Sequence, residues 1–571
     1  MYVDNIVKDF YEVLVGQQVL LLVNYDIDGL CTCKMLQWLF QTEGTLYSLV
    51  PVETISDIEA AFKEHIKNMT YVVLVNCGGT IDLVERLEPE DNVIFFVIDS
   101  HRPSDLCNVY SAAQIRLIAL PDEDEDIPAF NDVFQQQDTD DEEEEEEEEE
   151  NLEDDSEARP DRFEQLEKAA AKRREKQKWE EKKNKLMFDY YQFSYYGKSS
   201  SVLVHELIWT LSKGNVDILW YAIVGLTSYV VCGDKTQELY MEEMGVLKRH
   251  SSELSSRFNT VDCEDNNSTV SSPHPPSVSI SAEMDLKLAM FRHWTVESSL
   301  RHSLSSSIPL KLWTKKGEQR LQQVLVEMGI PLVQGRQTFN AMDVSLRNEF
   351  HSMILKVADA HGMEDIQFPS FALKLCYKGQ YFASDFVYSL LGLLNEHDRN
   401  NEDCFFSCLD CLSSRDKELL ERGFENHKKV LSIISKQIQM SFDMKRIAQS
   451  GNFLSYNIEE NTMEAGIFKR PHLLIILARH MLRAYLKLGT KKRHSRLPLV
   501  VQCNYNADHC LVLGIPPVTE FTNKNFFGRA FEQAANVLGC PIEIDYPDSS
   551  IVRIESNDRT RFLDSLSSLL S

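Results

Sequence analysis

Val19 to Leu39 reads VLLLVNYDIDGLCTCKMLQWL. Val19 to Val23 is an unbroken apolar run of Val and Leu, the mark of a strand buried on both faces. Asp26-Ile27-Asp28-Gly29 follows, and then a helical pattern over Leu30, Cys33, Lys34 and Leu36 to Leu39. Two carboxylates two residues apart at the carboxyl end of a buried strand carry a large desolvation cost unless something compensates their charge. A divalent cation can do so, as can the N–H groups of a helix N-terminus. Gly29 allows the sharp turn from strand to helix. Taken alone, D-x-D-G reads equally well as a polar turn capping a helix.

Working outward, Tyr47 to Val52, Tyr71 to Val75 and Val93 to Ile98 read as further strands, and Ile58 to Lys67 as a helix. Strands alternating with helices imply a parallel sheet with right-handed crossovers. Ligands of such sheets sit beyond the carboxyl ends of the strands. There this chain places Asp26 and Asp28, then Asn76, then Asp99 with His101.

That constellation resembles the DHH phosphoesterase superfamily, which includes the RecJ exonucleases. The resemblance implies a two-metal Mn²⁺ or Mg²⁺ site. Asp26 and Asp28 match its first motif, Asn76 stands at the second motif's Asp, and Asp99-Ser100-His101 stands at D-H-H. Ala222 to Ser228, AIVGLTS, resembles a further strand-end motif, with Ser228 where an Asp would bind metal. A two-metal site needs enough anionic ligands to hold two divalent ions about 4 Å apart. Asn76, Ser100 and Ser228 remove carboxylates and a donor, so the expectation is no catalysis, no metal and no cofactor. The alternative is an active Mn- or Mg-dependent phosphodiesterase or single-strand exonuclease.

The resemblance narrows along the whole chain to a RecJ-like, catalytically degenerate eukaryotic branch of the superfamily, the non-motor subunit of the replicative helicase. The stretches that carry it are NYDIDGLCTCKML, FFVIDSHRP, LWYAIVGLTSYVV, MGVLKRH, Ala341-Met342-Asp343 and KNFFGRAFE from Lys524. It implies an α/β fold in three parts: a DHH-type parallel-sheet domain, an all-helical interdomain, and a C-terminal α/β DHHA1-like domain. It further implies a nuclear location. The implied partners are the minichromosome maintenance ATPase ring, the GINS complex, single-stranded DNA and other fork proteins such as DNA polymerase.

Composition agrees with several cored domains in 571 residues, 43% of them hydrophobic. Thirteen cysteines without a secretory signal suit a reducing compartment. No stretch reaches the length of a membrane span, so no membrane partner is expected. The formal charge is -30, but Asp122 to Glu157 holds 22 acidic residues and no Lys or Arg, leaving only -8 elsewhere.

Boundaries follow. Residues 1–121 begin the sheet domain, 122–157 are an acidic insertion, and 158–185 are a charged helix. Residues 186–282 resume the sheet domain with a Ser/Pro-rich loop at 251–281. Residues 283–425 are the interdomain, and 426–571 the last domain. Glu142 to Glu150 cannot pack and are expected to be disordered. The charged helix carries i,i+4 pairs, and its basic clusters suit nuclear import or nucleic-acid contact.

Three motifs were weighed further. Gly197-Lys198-Ser199 ends like a phosphate-binding loop, but Gln192 stands where its first glycine belongs. No motor is expected. Cys404, Cys408 and Cys411 have no fourth zinc ligand at structural-site spacing, though His397 is near, and Phe405, Phe406 and Leu409 between them read as helix core. In the last domain the Gly-rich DHHA1 loop is reduced to Phe526-Phe527-Gly528-Arg529. Lys491, Lys492, Arg493, Arg496 and Arg529 are candidate nucleic-acid contacts.

A tract without apolar residues contributes no burial. Deleting Asp138 to Glu150 is therefore expected to leave the melting temperature unchanged and to alter only interactions that weaken with salt. Scanning calorimetry of the deletion protein checks this, and global unfolding contradicts it.

Overall fold

A strand as apolar as Val19–Val23 needs neighbours on both edges and cover on both faces. The computed structural model supplies both. It describes residues 1–119, 125–134, 160–264, 278–363, 365–375, 379–397, 399–459, 463–488, 497–518 and 524–570. The acidic run Glu142 to Glu150 lies outside the described residues.

The chain forms two compact units, Met1–Leu120 with Ser194–Ser571, and Pro121–Phe193. The smaller unit contains a helix over Pro160–Tyr190 and a short one over Phe130–Val133. Lys182 bonds Asp132 at 2.6 Å, and Tyr190 bonds Glu125 at 2.9 Å.

In the larger unit β1 (Gln18–Asn24), β2 (Leu46–Val52), β3 (Tyr71–Val75), β4 (Ile94–Ile98) and β5 (Ile115–Leu117) form one parallel sheet in the order β2-β1-β3-β4-β5. Leu21 lies opposite Leu49 on one side and Val73 on the other. Val19, Leu21 and Val23 enter the main core, while alternation sends Leu20 and Leu22 to the other face. All five are fully buried, each worth roughly 1.5–3 kcal/mol relative to exposure. The order reverses between β1 and β3, which makes the loops after those two strands the crevice of the sheet.

α1 (Ile27–Glu43) leaves β1 directly, α2 (Ser200–Thr210) and α3 (Val216–Cys232) pack beside it, and α4 (Gln237–Glu264) follows. Ala222 to Ser228, read from the sequence as a strand end, lies inside α3. The physical reason is length: Asn215 caps the helix, Gly233 closes it in a left-handed conformation, and the 17 residues between exceed a strand. Residues 251–264, read as loop, are helical within α4, and the next strand starts at Val278.

The interdomain is not all-helical. β6 (Val278–Leu286), β7 (Gln367–Leu375) and β8 (Gly379–Phe382) make an antiparallel sheet. β7 alternates only weakly, with Phe371, Ala372 and Leu373 all buried, so helical periodicity around it masked the strand. α5 (Ala383–Leu394) and α6 (Asn401–Ser414) follow. Cys404, Cys408 and Cys411 are buried on α6, and Cys408 lies 3.7 Å from the Leu390 carbonyl.

α7 (Lys417–Asp443) is one continuous helix that runs across the boundary drawn from the sequence at residues 425 and 426. The C-terminal sheet runs β9 (Ala448–Ser450), β10 (Phe453–Ile458), β11 (Leu499–Asn504), β12 (His509–Ile515), β13 (Ile551–Glu555). α8 (Pro471–Leu488) contributes to the core on one face of this sheet, and α9 (Phe527–Leu538) and α10 (Arg559–Leu569) to the core on the other. Glu543 makes a single bridge to Arg553 of β13. No helix among the described residues is long and apolar enough to cross a membrane.

α5 and α7 cross so closely that a Cβ on Gly392 would collide with the Gly423 carbonyl, and one on Gly423 with Ser389. Overpacking of this kind costs about 1–3 kcal/mol. Gly392→Ala is expected to lose that much in urea denaturation, and an unchanged midpoint would contradict the close crossing.

Candidate functional site

Asp28 is 2% exposed. Its charge is held by five donors. Ser199 Oγ donates to Oδ1 at 2.6 Å, and the Ser201 N–H does so at 3.1 Å. Oδ2 accepts from the Ser200 N–H at 2.9 Å, Tyr229 Oη at 2.8 Å and Asn76 Nδ2 at 3.2 Å. The Ser200 and Ser201 N–H groups belong to the first turn of α2. A carboxylate brought from α1 thus caps a helix 170 residues away in sequence, where the helix dipole favours negative charge.

Asp26 caps its own helix through the Gly29 N–H, and also accepts from Asn24 Nδ2 and Asn76 Nδ2 at 2.8 and 3.0 Å. Burial, and then the Asp28 charge, push its pKa up to about 7 against the donors that lower it. Asn76 ends β3 with φ 51°, a left-handed conformation that asparagine tolerates. Its amide nitrogen faces both carboxylates, and its oxygen accepts from Ser100 and Ser200.

Asp99 accepts from the Gly79 N–H at 2.9 Å, the His101 N–H at 2.9 Å and His101 Nδ1 at 2.7 Å. Burial by itself would lower the His101 pKa, but the charge and hydrogen bond of Asp99 outweigh it and push it up to about 9. Burial likewise works to raise Asp99, and His101 holds it below the usual carboxylate range. Burial and the Asp28 charge hold Tyr229 well above the usual phenol range, so it remains a donor.

The structure therefore brings Asp26, Asp28, Asn76, Asp99, Ser100 and His101 together at one end of the sheet. Ser228 lines the same cleft, but its hydroxyl donates to the Gly225 carbonyl of its own helix at 2.6 Å. Arg529 pairs with Glu532 at 2.6 Å on α9 and does not line the cleft. Lys491, Lys492, Arg493 and Arg496 lie outside the described residues.

Sequence reasoning missed Ser199, Ser200, Ser201 and Tyr229. The signal was the stretch set aside as a failed phosphate loop: Gly197-Lys198-Ser199 does open a helix, but the anion it meets is Asp28. Gly225 lets α3 approach, since a Cβ there would collide with Ser201 Oγ.

The cleft, about 160 Å³, is also lined by Arg470, His472, Tyr546 and Asp548. Arg470 donates to the Leu394 carbonyl at 2.6 Å and to Asn401 at 3.2 Å, and Asn401 reaches Glu53 at 2.9 Å. Ser56 bonds Asp545 at 2.8 Å. The donor set does not fit the two divalent ions that the superfamily resemblance calls for. An Asn76 amide points N–H groups where a cation would sit, and the lone pairs of Asp28 are already engaged.

A family model described as CDC45 matches residues 19–569. The human cell division control protein 45 homolog is 38% identical over the whole length of both chains. The chain belongs to the CDC45 family. The Schizosaccharomyces pombe CDC45 homolog is 27% identical over 97% of this chain and 96% of its own length. The crystal structure of CDC45 from Entamoeba histolytica superposes with a TM-score of 0.67 at 19% identity, covering 100% of this chain and 99% of that one. The mixed α/β architecture is thus that of the CDC45 fold.

A carboxyl with a raised folded-state pKa stabilises fully below its unfolded value, and that contribution is lost as pH rises through the folded value. For Asp26 the window runs from about pH 4, the ordinary value, to about 7. Asp26→Asn is therefore expected to melt above the parent protein at pH 8, with the gap narrowing toward pH 5. Melting curves across that range check this, and a gap independent of pH would contradict it.

Proposed function

We propose that this chain is a non-catalytic scaffold subunit of the eukaryotic replicative DNA helicase. It would act in the nucleus, in initiation and elongation of replication. Its partners would be the minichromosome maintenance ring and the GINS complex, with single-stranded DNA and other fork proteins such as DNA polymerase as further contacts. Family membership supports a replication role. The observation that carries the non-catalytic reading is the engaged Asp28 carboxylate, whose donors occupy the lone pairs a metal would need. On this reading Asp26, Asp28, Asn76, Asp99, His101 and Ser228 are remnant positions of a metal site, converted into a polar knot.

The interdomain favours docking over chemistry. Val326, Val333 and Val344 are 65%, 71% and 57% exposed there. Exposed apolar side chains of this kind gain most from burial in a partner. The test uses purified full-length protein in two arms. With Mn²⁺ or Mg²⁺ it is expected to leave single-stranded DNA uncut. Combined Val326→Lys, Val333→Lys and Val344→Lys replacement is expected to leave its melting temperature unchanged. The same replacement should weaken helicase assembly by at least about tenfold, or about 1.4 kcal/mol. Cleavage that Asp28→Ala abolishes overturns the first arm, and normal assembly of the triple variant overturns the second.

A further inference from the structure

Away from the cleft, α2 and α4 bring two histidines together beside a tryptophan. His205 is fully buried, and among the described residues neither of its ring nitrogens has a hydrogen-bond partner. His250 is half-buried, and its Nδ1 is also buried without a partner. Three buried ring nitrogens without partners, gathered in one place, call for an ion or a water beside them. The two ring centroids are 5.1 Å apart. Two imidazoles holding one ion tetrahedrally, at a metal–nitrogen distance of about 2.0–2.1 Å, have centroids about 5 Å apart.

We propose that His205 and His250 bind one borderline-soft divalent metal ion, of which Zn²⁺ is the best match. Imidazole suits Zn²⁺, Cu²⁺ and Ni²⁺ and is a poor ligand for Mg²⁺. Trp209 stacks on His250 with centroids 4.0 Å apart and rings 14° from parallel, which fixes the orientation of that imidazole. Water would complete a site that opens toward solvent on the His250 side. The ion would tie α2 to α4 at a distance from the polar knot, and would serve as a clamp.

The test is Co²⁺ and Zn²⁺ binding by the full-length protein stripped with chelator. Co²⁺ is expected to bind one equivalent at this site with weak visible bands and without the near-ultraviolet thiolate band that a cysteine site would give. Zn²⁺ should displace it. His250→Gln and His205→Gln should each lose that equivalent. His250 is half-buried, so His250→Gln decides the matter even where His205→Gln does not fold. Equal Co²⁺ content in parent and His250→Gln protein overturns the proposal, as does a thiolate band that accounts for all the metal bound. Failure of the parent to bind any ion overturns it too and assigns the ring nitrogens to water. None of these outcomes bears on the scaffold reading above.

Discussion

A carboxylate taken out of water must be paid in charge or in hydrogen bonds, and Asp28 takes the second course. Five donors from four segments converge on it: the turn before α2, the first turn of α2, α3 through Tyr229, and the end of β3 through Asn76. The stabilisation is mutual. The N–H groups at the start of α2 would lack partners without an anion, and Asp28 would be an uncompensated charge without them. Removing either side leaves the other buried and unsatisfied, so α1, α2, α3 and the central sheet are locked in one arrangement.

Asparagine at position 76 is the hinge of that arrangement. An aspartate there would put a third carboxylate against Asp26 and Asp28, and only cations could hold the three together. An amide supplies N–H groups to both carboxylates with one face and an acceptor to Ser100 and Ser200 with the other. The left-handed backbone at this residue, which asparagine and aspartate both tolerate, is compatible with either chemistry. The amide at this position thus lets hydrogen bonds, rather than a further charge, hold the two carboxylates together.

Lys235 and Glu243 extend the same logic outward. Glu243 accepts from the Ser199 N–H at 3.0 Å and takes the Lys235 ammonium, which lies 4.5 Å over the Tyr229 ring. The donors that hold Asp28 are thus themselves held by a buried ion pair.

Much of this was legible in the sequence. Val19 to Val23 had to be buried on both faces, because nothing in it can face water, and a run of that length reads as a strand. Asp26 and Asp28 had to meet compensating donors or cations, because two charges at a buried strand end are otherwise too costly. The alternation of strands and helices dictated a parallel sheet with its crevice at Asn76. What the sequence could not decide was which compensation applied. Helix N-termini and metal ions both satisfy carboxylates, and the choice depends on whether a distant helix start arrives at Asp28. Ser199 to Ser201 look like any polar turn until packing of α3, permitted by Gly225, sets them there. The helix α3 was hidden in another way: a continuous apolar run suits a buried strand and a buried helix alike, and its 17 residues between Asn215 and Gly233 decide for the helix. Local patterns determine what each segment must hide from water; only the tertiary structure decides what it is hidden against.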